Sequence, residues 1–434
     1  MSNSASQPSA AAAPPRTLAQ WLAHLERLHP QTIALGLERV VRVKQALALE
    51  LDCPVITVGG TNGKGSCCAM LEAVLLNAGY RVGCYTSPHL LRYNERVRVA
   101  GRQADDDALC RAFERVERAR GDVLLTYFEF GTLAALLVFE DAGVEAAILE
   151  VGLGGRLDAV NVLDADCALV TSIDLDHQEY LGDTREKIGF EKAGIFRPQR
   201  PAVCADAEPP ATLVGHARAI GAGLLVADRD FGHVAAAAQW RYWGPRGKRY
   251  GLPHPALRGA YQLANAAACI AVLDSLHERL PVTAQDIRGG LLQADIPGRF
   301  QVLPGLPQAI LDVAHNPQAA RALAANLAAM PESARTIAVY SALRDKDIAG
   351  VAAAVKERIT HWHVASGEGP RGATAPELAA ALSSAGVKAP VEQHADVATA
   401  WRAACKAAAK NDKIIAFGSF LTVAAVMRER ERKA

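Results

Sequence analysis

Apolar positions along this chain follow two rhythms. From Trp21 to Leu47, WLAHLERLHPQTIALGLERVVRVKQAL carries them at spacings of three and four, interrupted at His29-Pro30, which predicts two short helices. From there to about residue 205, apolar runs of strand length (PVITVG, RVGCYTS, EAAILEVG, CALVTSI, PAVCA) alternate with longer segments of helical spacing, such as SCCAMLEAVLLNAGY and FEFGTLAALLVFEDAG. Repeated strand and helix predict a mainly parallel sheet with helices on both faces, since a parallel neighbour is reached only by a crossover.

Residues 206–258 lose that rhythm. Trp240, Trp243, Pro245, Gly247, Gly251 and Pro253 crowd a stretch that reads as hairpins and loops. The helix YQLANAAACIAVLDSLHERL follows, and Pro297-Gly298 in IPGRF breaks the chain before a second alternating series: QAILDV, RTIAVYSA, THWHVA, APVEQH and KIIAFGS, interleaved with alanine-rich helices. The expected architecture is α/β. A leader at 1–16 precedes a P-loop-type ATP-binding domain with a mainly parallel sheet at 17–297. A smaller Rossmann-like α/β domain follows at 298–434.

Composition narrows the partners. Half of the 434 residues are apolar, enough for a large core. Forty-seven basic residues against 46 acidic lack the balance of a nucleic-acid or anionic-membrane binder, so a charged ligand has to be met locally. The nine cysteines are odd in number and show no CxxC spacing, only the neighbours Cys67 and Cys68, which predicts free thiols in a reducing compartment. The N-terminus has neither a basic n-region nor an apolar h-region, and no apolar run approaches the roughly 18 residues of a membrane span. A cytoplasmic monomer with a disordered leader is expected.

The chemistry begins at TVGGTNGKGSCC, Thr57 to Cys68. A strand, a glycine-rich turn and a helix leave backbone N–H groups facing one concavity at the positive end of a helix dipole, which suits phosphate. Lys64 adds a mobile cation and Ser66 a hydroxyl for magnesium. The spacing departs from the usual phosphate loop: Val58 stands five before Gly63, and Gly65 separates Lys64 from Ser66. The alternative is a glycine-rich connection with a solvated lysine. Glu150, ending the strand ILEVGLGG, sits where open α/β sheets bind ligands; it can hold the magnesium of a nucleotide or serve as a cap or salt-bridge partner.

GTNGKGS, SPHLLRYNERVRV, TYFEFGTLAAL, ILEVGLGGRLDAVNV, TSIDLDHQEYLG, EKAGIF, GRF, DVAHNP and FGSFLTVAAV, in that order from about Trp21 to Val426, resemble the folylpolyglutamate synthase and dihydrofolate synthase family of the Mur ligase superfamily. The resemblance implies an ATP-dependent ligase. The terminal phosphoryl of ATP passes to a pteroate or folate carboxylate, and the amino group of L-glutamate attacks the acyl phosphate. Phosphorylation removes the negative charge that shields a carboxylate and supplies a leaving group.

The resemblance also implies site residues. Gly60, Thr61, Asn62, Gly63, Lys64 and Gly65 would wrap the phosphates of ATP, with Ser66 opening the helix. Ser87 and Glu150 match ligands of one Mg2+, and His177 in DLDHQEYLG a ligand of a second. Lys192 in EKAGI matches a lysine carbamylated in related ligases, which requires a neutral amine and hence a lowered pKa; an unmodified Lys192 paired to Glu191 or another carboxylate is the alternative. On the far side of the hinge, Asn265, Arg299 and Asp312 match ATP-binding residues. His315 matches either a glutamate-binding residue or a structural support. HWH, at His361 and His363, shows metal-like spacing, but strand alternation alone puts both on one face.

Two stretches resemble the bifunctional bacterial members, which make dihydrofolate from dihydropteroate and also extend reduced folates. They imply a dihydropteroate pocket of Arg27, Leu28, His29, Thr126, Tyr127, Phe128 and Glu129, joined by Leu157, Asp158 and Ala159. There an aromatic ring would pack on the pterin and a carboxylate would meet its amino-pyrimidine edge. EGPRGATAPEL, from Glu368 to Leu378, leans the same way. A folylpolyglutamate synthase without the first activity, or a regulatory ATPase without ligase chemistry, are the competing readings. A cell-wall ligase for a UDP-linked sugar is disfavoured, since only about fifty residues precede the phosphate turn, too few for its uridine-nucleotide domain.

Overall fold

The structure, a computed structural model, describes residues 15–31, 33–259 and 261–432. The leader expected at 1–16 lies outside them up to residue 14. Two helices, α1 (Leu18–Leu28) and α2 (Glu38–Leu47), come first, as the spacing predicts. Then β1 (Val55–Gly59), α3 (Lys64–Asn77), β2 (Val82–Tyr85), β3 (Val97–Val99), β4 (Arg102–Gln103), α4 (Asp106–Arg120), α5 (Tyr127–Ala142) and β5 (Ala146–Glu150) follow. The series continues through β6 (Cys167–Val170), α6 (Gln178–Leu181), α7 (Arg185–Ala193), β7 (Pro201–Cys204), α8 (Ala211–Ile220) and β8 (Gly223–Val226). These strands form one sheet in the order β4-β3-β2-β5-β1-β6-β7-β8, parallel from β2 to β8 with an antiparallel edge at β3 and β4.

Central β1 is buried on both faces, as a parallel strand covered by helices must be. Helix α3 is apolar around most of its circumference because it lies between that sheet and the helices α9 (Tyr261–Ser275) and α10 (Ala284–Gln293). On the opposite face α5 begins with a reciprocal cap: the Thr126 hydroxyl accepts from Glu129 N–H while the Glu129 carboxylate accepts from Thr126 N–H. Trp21 of α1 locks into this layer, with ring centroids 5.9 Å from Phe113 and 6.4 Å from Phe130.

Residues 206–258 correct the sequence reading in part. Strands β9 (Gly232–Ala235), β10 (Gln239–Gly244) and β11 (Gly247–Pro253) form the expected antiparallel hairpins, but α8 and β8 continue the large sheet where loops were expected. Pro210 is the N-cap of α8, where its missing backbone donor leaves no helical hydrogen bond unmade.

The second lobe runs β12 (Gln301–Leu303), β13 (Gln308–Leu311), α11 (Pro317–Ala328), β14 (Thr336–Tyr340), α12 (Ile348–Val355), β15 (His361–Ala365), α13 (Ala375–Ser384), β16 (Val391–His394), α14 (Val397–Ala407), β17 (Lys413–Phe417) and α15 (Phe420–Glu431). Its sheet, β12-β13-β17-β14-β15-β16, is parallel except at β12. Tyr340, Trp362 and Phe417 pack edge-on and tilted against one another at its centre. Among the described residues no helix is long and apolar enough to cross a membrane.

Trp21→Ala should lower the first unfolding transition in urea by about 3–5 kcal/mol, because the indole is 2% exposed and its removal leaves a cavity between α1, α4 and α5. A shift below about 1 kcal/mol would show that α1 is not part of the core.

Candidate active site between the two lobes

The carboxyl ends of β1, β2, β5 and β6 open toward the second lobe, and the space between encloses a cleft of about 710 Å³. Its floor is the turn after β1. Gly60 has φ +140° and lies so close to Thr171 that a Cβ there would come within 1.8 Å of the hydroxyl oxygen; Gly63, the N-cap of α3, has φ +91°. Both need glycine. Thr61 N–H and Asn62 N–H are committed to Ser172, at 2.7 and 3.1 Å, so the donors left for an anion are those of the first turn of α3, Lys64, Gly65 and Ser66. The helix therefore starts at Lys64, two residues earlier than expected. Ser66 lies inside that turn, where its hydroxyl accepts from Gln262 Nε2 at 3.2 Å. Lys64 Nζ folds back onto the carbonyls of Gly60 and Thr61 at 3.0 and 3.2 Å.

Cations and carboxylates converge on the same turn. Glu150, 4% exposed, accepts from Ser87 N–H at 3.1 Å; burial raises its pKa, opposed by Lys64 and that N–H. Arg299 lies over the ring of Phe420 at 4.9 Å, and its buried Nη1 has no hydrogen-bond partner. A buried guanidinium nitrogen left open at a cleft is costly unless an anion fills the place. Asp312 acts through the backbone: its carboxylate accepts from Phe300 and Ala314 N–H at 2.8 and 2.7 Å and so fixes the chain around Arg299. Asn265 lies on α9, in the first lobe rather than beyond the hinge, with its side chain against Gly63.

On the other wall His177 has φ +50°, and burial with the Lys346 ammonium pushes its imidazole down to about 4, leaving it neutral. Asp176 beside it joins the lobes: it meets Lys346 Nζ at 2.5 Å, His315 Nε2 at 3.5 Å and Asn316 Nδ2 at 3.2 Å. Burial works against its charge, but the His315 hydrogen bond and Lys346 hold the carboxyl well below its usual range. Lys192 is 3% exposed, and burial followed by Lys64 lowers its amine to about 7. Glu191, its expected alternative partner, instead binds Arg156 at 2.8 Å. Buried Glu150, Ser87, neutral His177 and a deprotonatable Lys192 line one cleft and fit a divalent cation through oxygen and imidazole donors.

None of the ten dihydropteroate candidates lines this cleft. Phe128 reaches it through Gly152, where a Cβ would come within 2.7 Å of the ring, and packs 5.9 Å from Tyr85. Tyr127 lies 6.0 Å from Tyr93, with the Arg96 guanidinium 5.4 Å from each ring. Asp158 accepts from Leu153 N–H at 2.7 Å and Val160 N–H at 3.1 Å; burial nevertheless raises it to about 7. Glu129 is likewise engaged, by Arg39 and by the Thr126 cap. Leu157 O accepts from Gly36 N–H at 3.4 Å, and Ala159 opens a short 3-10 turn. Arg27 and Leu28 end α1, and the His29 ring bonds to Gln31.

Asp176, Lys346, Arg96 and Gln318 escaped the sequence reading. Asp176 adjoins His177 and was legible as a second carboxylate in DLDH. Lys346 follows a strand end in SALRDKDIAG, a cation at the carboxyl edge of the second sheet. Arg96 lies inside the quoted stretch SPHLLRYNERVRV without standing out there, and Gln318 carries no local signal.

This is the architecture of a two-lobed nucleotide-dependent ligase. The Mur ligase middle domain matches residues 58–273 and the Mur ligase glutamate ligase domain residues 298–420. The chain is 46% identical over 411 residues to the dihydrofolate synthase/folylpolyglutamate synthase of Escherichia coli K12, covering 94% of each, and 41% identical over 426 residues to that of Haemophilus influenzae. It superposes on E. coli FolC in complex with DHPP and ADP with a TM-score of 0.92 at 45% identity, covering 96% of this chain and 98% of that one. The corresponding Yersinia pestis enzyme with AMPPNP and Mn ion gives 0.89 at 47% identity over the same shares. The chain belongs to the dihydrofolate synthase/folylpolyglutamate synthase family of Mur ligases.

Gly60→Ala should abolish detectable ADP binding by calorimetry while leaving the far-ultraviolet circular dichroism unchanged, since the added methyl would displace the turn from Thr171. Wild-type affinity in this variant would exclude the turn as the phosphate site.

Proposed function

We propose that the cleft joins L-glutamate to dihydropteroate, forming dihydrofolate, and to reduced folates, extending their glutamate tails, with one ATP consumed per bond. One observation carries this reading: the partnerless Arg299 nitrogen sits across the lobe boundary from the open first turn of α3 and Lys64, a place shaped for the phosphates of ATP. Similar enzymes bound to DHPP with ADP, and to Mn, AMPPNP and L-glutamate, support the three substrates. The same reading divides the chain at Pro297-Gly298, makes it a monomer and, from its nine free cysteines, assigns it to the cytoplasm.

A pteroate carboxylate oxygen attacks the γ-phosphorus and ADP leaves; the neutral glutamate amine then attacks the acyl carbon and phosphate leaves. Lys64, Arg299 and the first-turn N–H groups meet the nucleotide's charge, and Asn265 lies against the same turn. Because Arg299 stacks on Phe420 and Asn62 bonds to Asn316 and Gln318 at 3.1 and 2.5 Å, nucleotide bound at the turn favours the closed lobes and a dry site. His315, held by Val313 O and Asp176, is assigned to glutamate. Phe128 and Asp158 are assigned to the pterin. Mg2+ at two positions, one at Ser87 and Glu150 and one at His177 and Lys192, would neutralise phosphate oxygens.

Lys192 in this reading reacts as R–NH2 + CO2 → R–NH–COO− + H+, turning a buried amine into an anion. The sign of the pH dependence follows. With a folded-state pKa of about 7 against 10.5, the reactive neutral amine prevails above pH 7 and is lost as pH falls below it. Enzyme in 13C-bicarbonate should show a carbamate resonance that Lys192→Arg lacks, fading below pH 7 together with ligase activity. A wild-type spectrum without it would leave Lys192 an ordinary amine. Phosphate release should require both glutamate and a pteroate or folate; release indifferent to both would favour a regulatory ATPase.

A further inference from the structure

The second lobe carries a side-chain cluster unrelated to the cleft. In the parallel pairing of β15 with β16, His363 stands opposite Glu392 and Ala365 opposite His394, so all three polar side chains leave the sheet on one face. His363 Nδ1 lies 2.9 Å from His394 Nε2 and 3.7 Å from Glu392 Oε2, and the three donor atoms fall within 4.8 Å of one another. None of the three lines the cleft.

We propose that His363, Glu392 and His394 bind a divalent transition-metal ion of the zinc class, which pins the edge strand β16 to β15. Two imidazoles and a carboxylate are the donors such ions prefer, whereas magnesium and calcium prefer oxygen alone. Ligand atoms on a tetrahedral ion with bonds of ~2.0–2.1 Å sit roughly 3.3 Å apart, between the two spacings found here. The imidazoles therefore separate slightly and the Glu392 carboxylate swings in, a small motion for a side chain 65% exposed. His363 is 2% exposed, so its ring is held in place by the surrounding packing. The imidazole contact holds one proton between two nitrogens; as the ion enters, that proton moves to the outer nitrogen of its own ring, so both imidazoles bind in the neutral form. The exposed side of Glu392 leaves the fourth position to water. The need is clear from the topology: β16 ends the sheet, and an edge strand held on one side only is open to pairing with another chain.

Chelator-stripped full-length enzyme should bind one more equivalent of Co2+ than either Glu392→Gln or His394→Gln, with the intense visible absorption of a low-coordinate cobalt–imidazole site. Affinity for that equivalent should fall at least about tenfold in each variant. Zn2+ should raise the thermal midpoint of the wild type and leave both variants unmoved. Glu392 is exposed, so its glutamine variant folds, and magnesium-dependent ligase turnover should match wild type in both. Equal cobalt stoichiometry, equal spectra and equal thermal response across the three proteins would overturn the proposal and leave a hydrogen-bonded histidine pair.

Discussion

The close contact between Gly60 and Thr171 governs this molecule, because it forces the chain after β1 into a left-handed turn that aims the start of α3 at the other lobe. Once Thr61 and Asn62 are tied to Ser172, the unpaired N–H groups of Lys64, Gly65 and Ser66 face the cleft. Asn62, at the tip of the same turn, reaches Asn316 and Gln318 of the second lobe. An open helix start and the contact between the lobes are thus built into one turn of backbone. In the proposed reading a nucleotide bridges Arg299 and Lys64 across the lobe boundary.

Burial sets the chemistry of the rest. The chain has almost no net charge, so the cleft handles a polyanion with few, deeply placed groups. Dehydration lowers the Lys192 amine to about 7, raises the carboxyls of Glu150 and Asp158, and leaves one nitrogen of Arg299 without a hydrogen-bond partner. Each is unfavourable alone, and in the proposed reading each would be relieved on binding: Glu150 by metal, Arg299 by phosphate and Asp158 by hydrogen bonds from an amino-pyrimidine edge. Asp176 is the exception, kept ionised by Lys346 and His315 so that the lobes meet through a charge pair. Such sites exchange stability of the empty protein for affinity of the filled one.

Much of this was legible in order along the chain. The strand period located β1, β5 and β6, and the glycine turn with Glu150 and Lys192 fell in motifs long enough to place them. What remained hidden depends on chain crossing: Asp176 meets Lys346 170 positions away, and Asn62 meets Gln318 across 256. No local pattern encodes those distances. His363 stood out by its HWH spacing, yet its partners are not His361 but Glu392 and His394, which only strand order brings alongside. Glu129 shows the reverse case, a carboxylate in a family motif whose charge goes to a helix cap and Arg39. Helix α8 fell within the stretch read as hairpins and loops, beginning just after Pro210.

The central claim is that a carboxyl oxygen takes the terminal phosphoryl of ATP before any amide forms. Dihydropteroate labelled with 18O in its benzoate carboxyl tests it most directly. Turnover with ATP and glutamate should deliver one labelled oxygen to each inorganic phosphate released, as read by mass spectrometry. Unlabelled phosphate accompanying normal dihydrofolate formation would contradict the acyl phosphate and the account built on it.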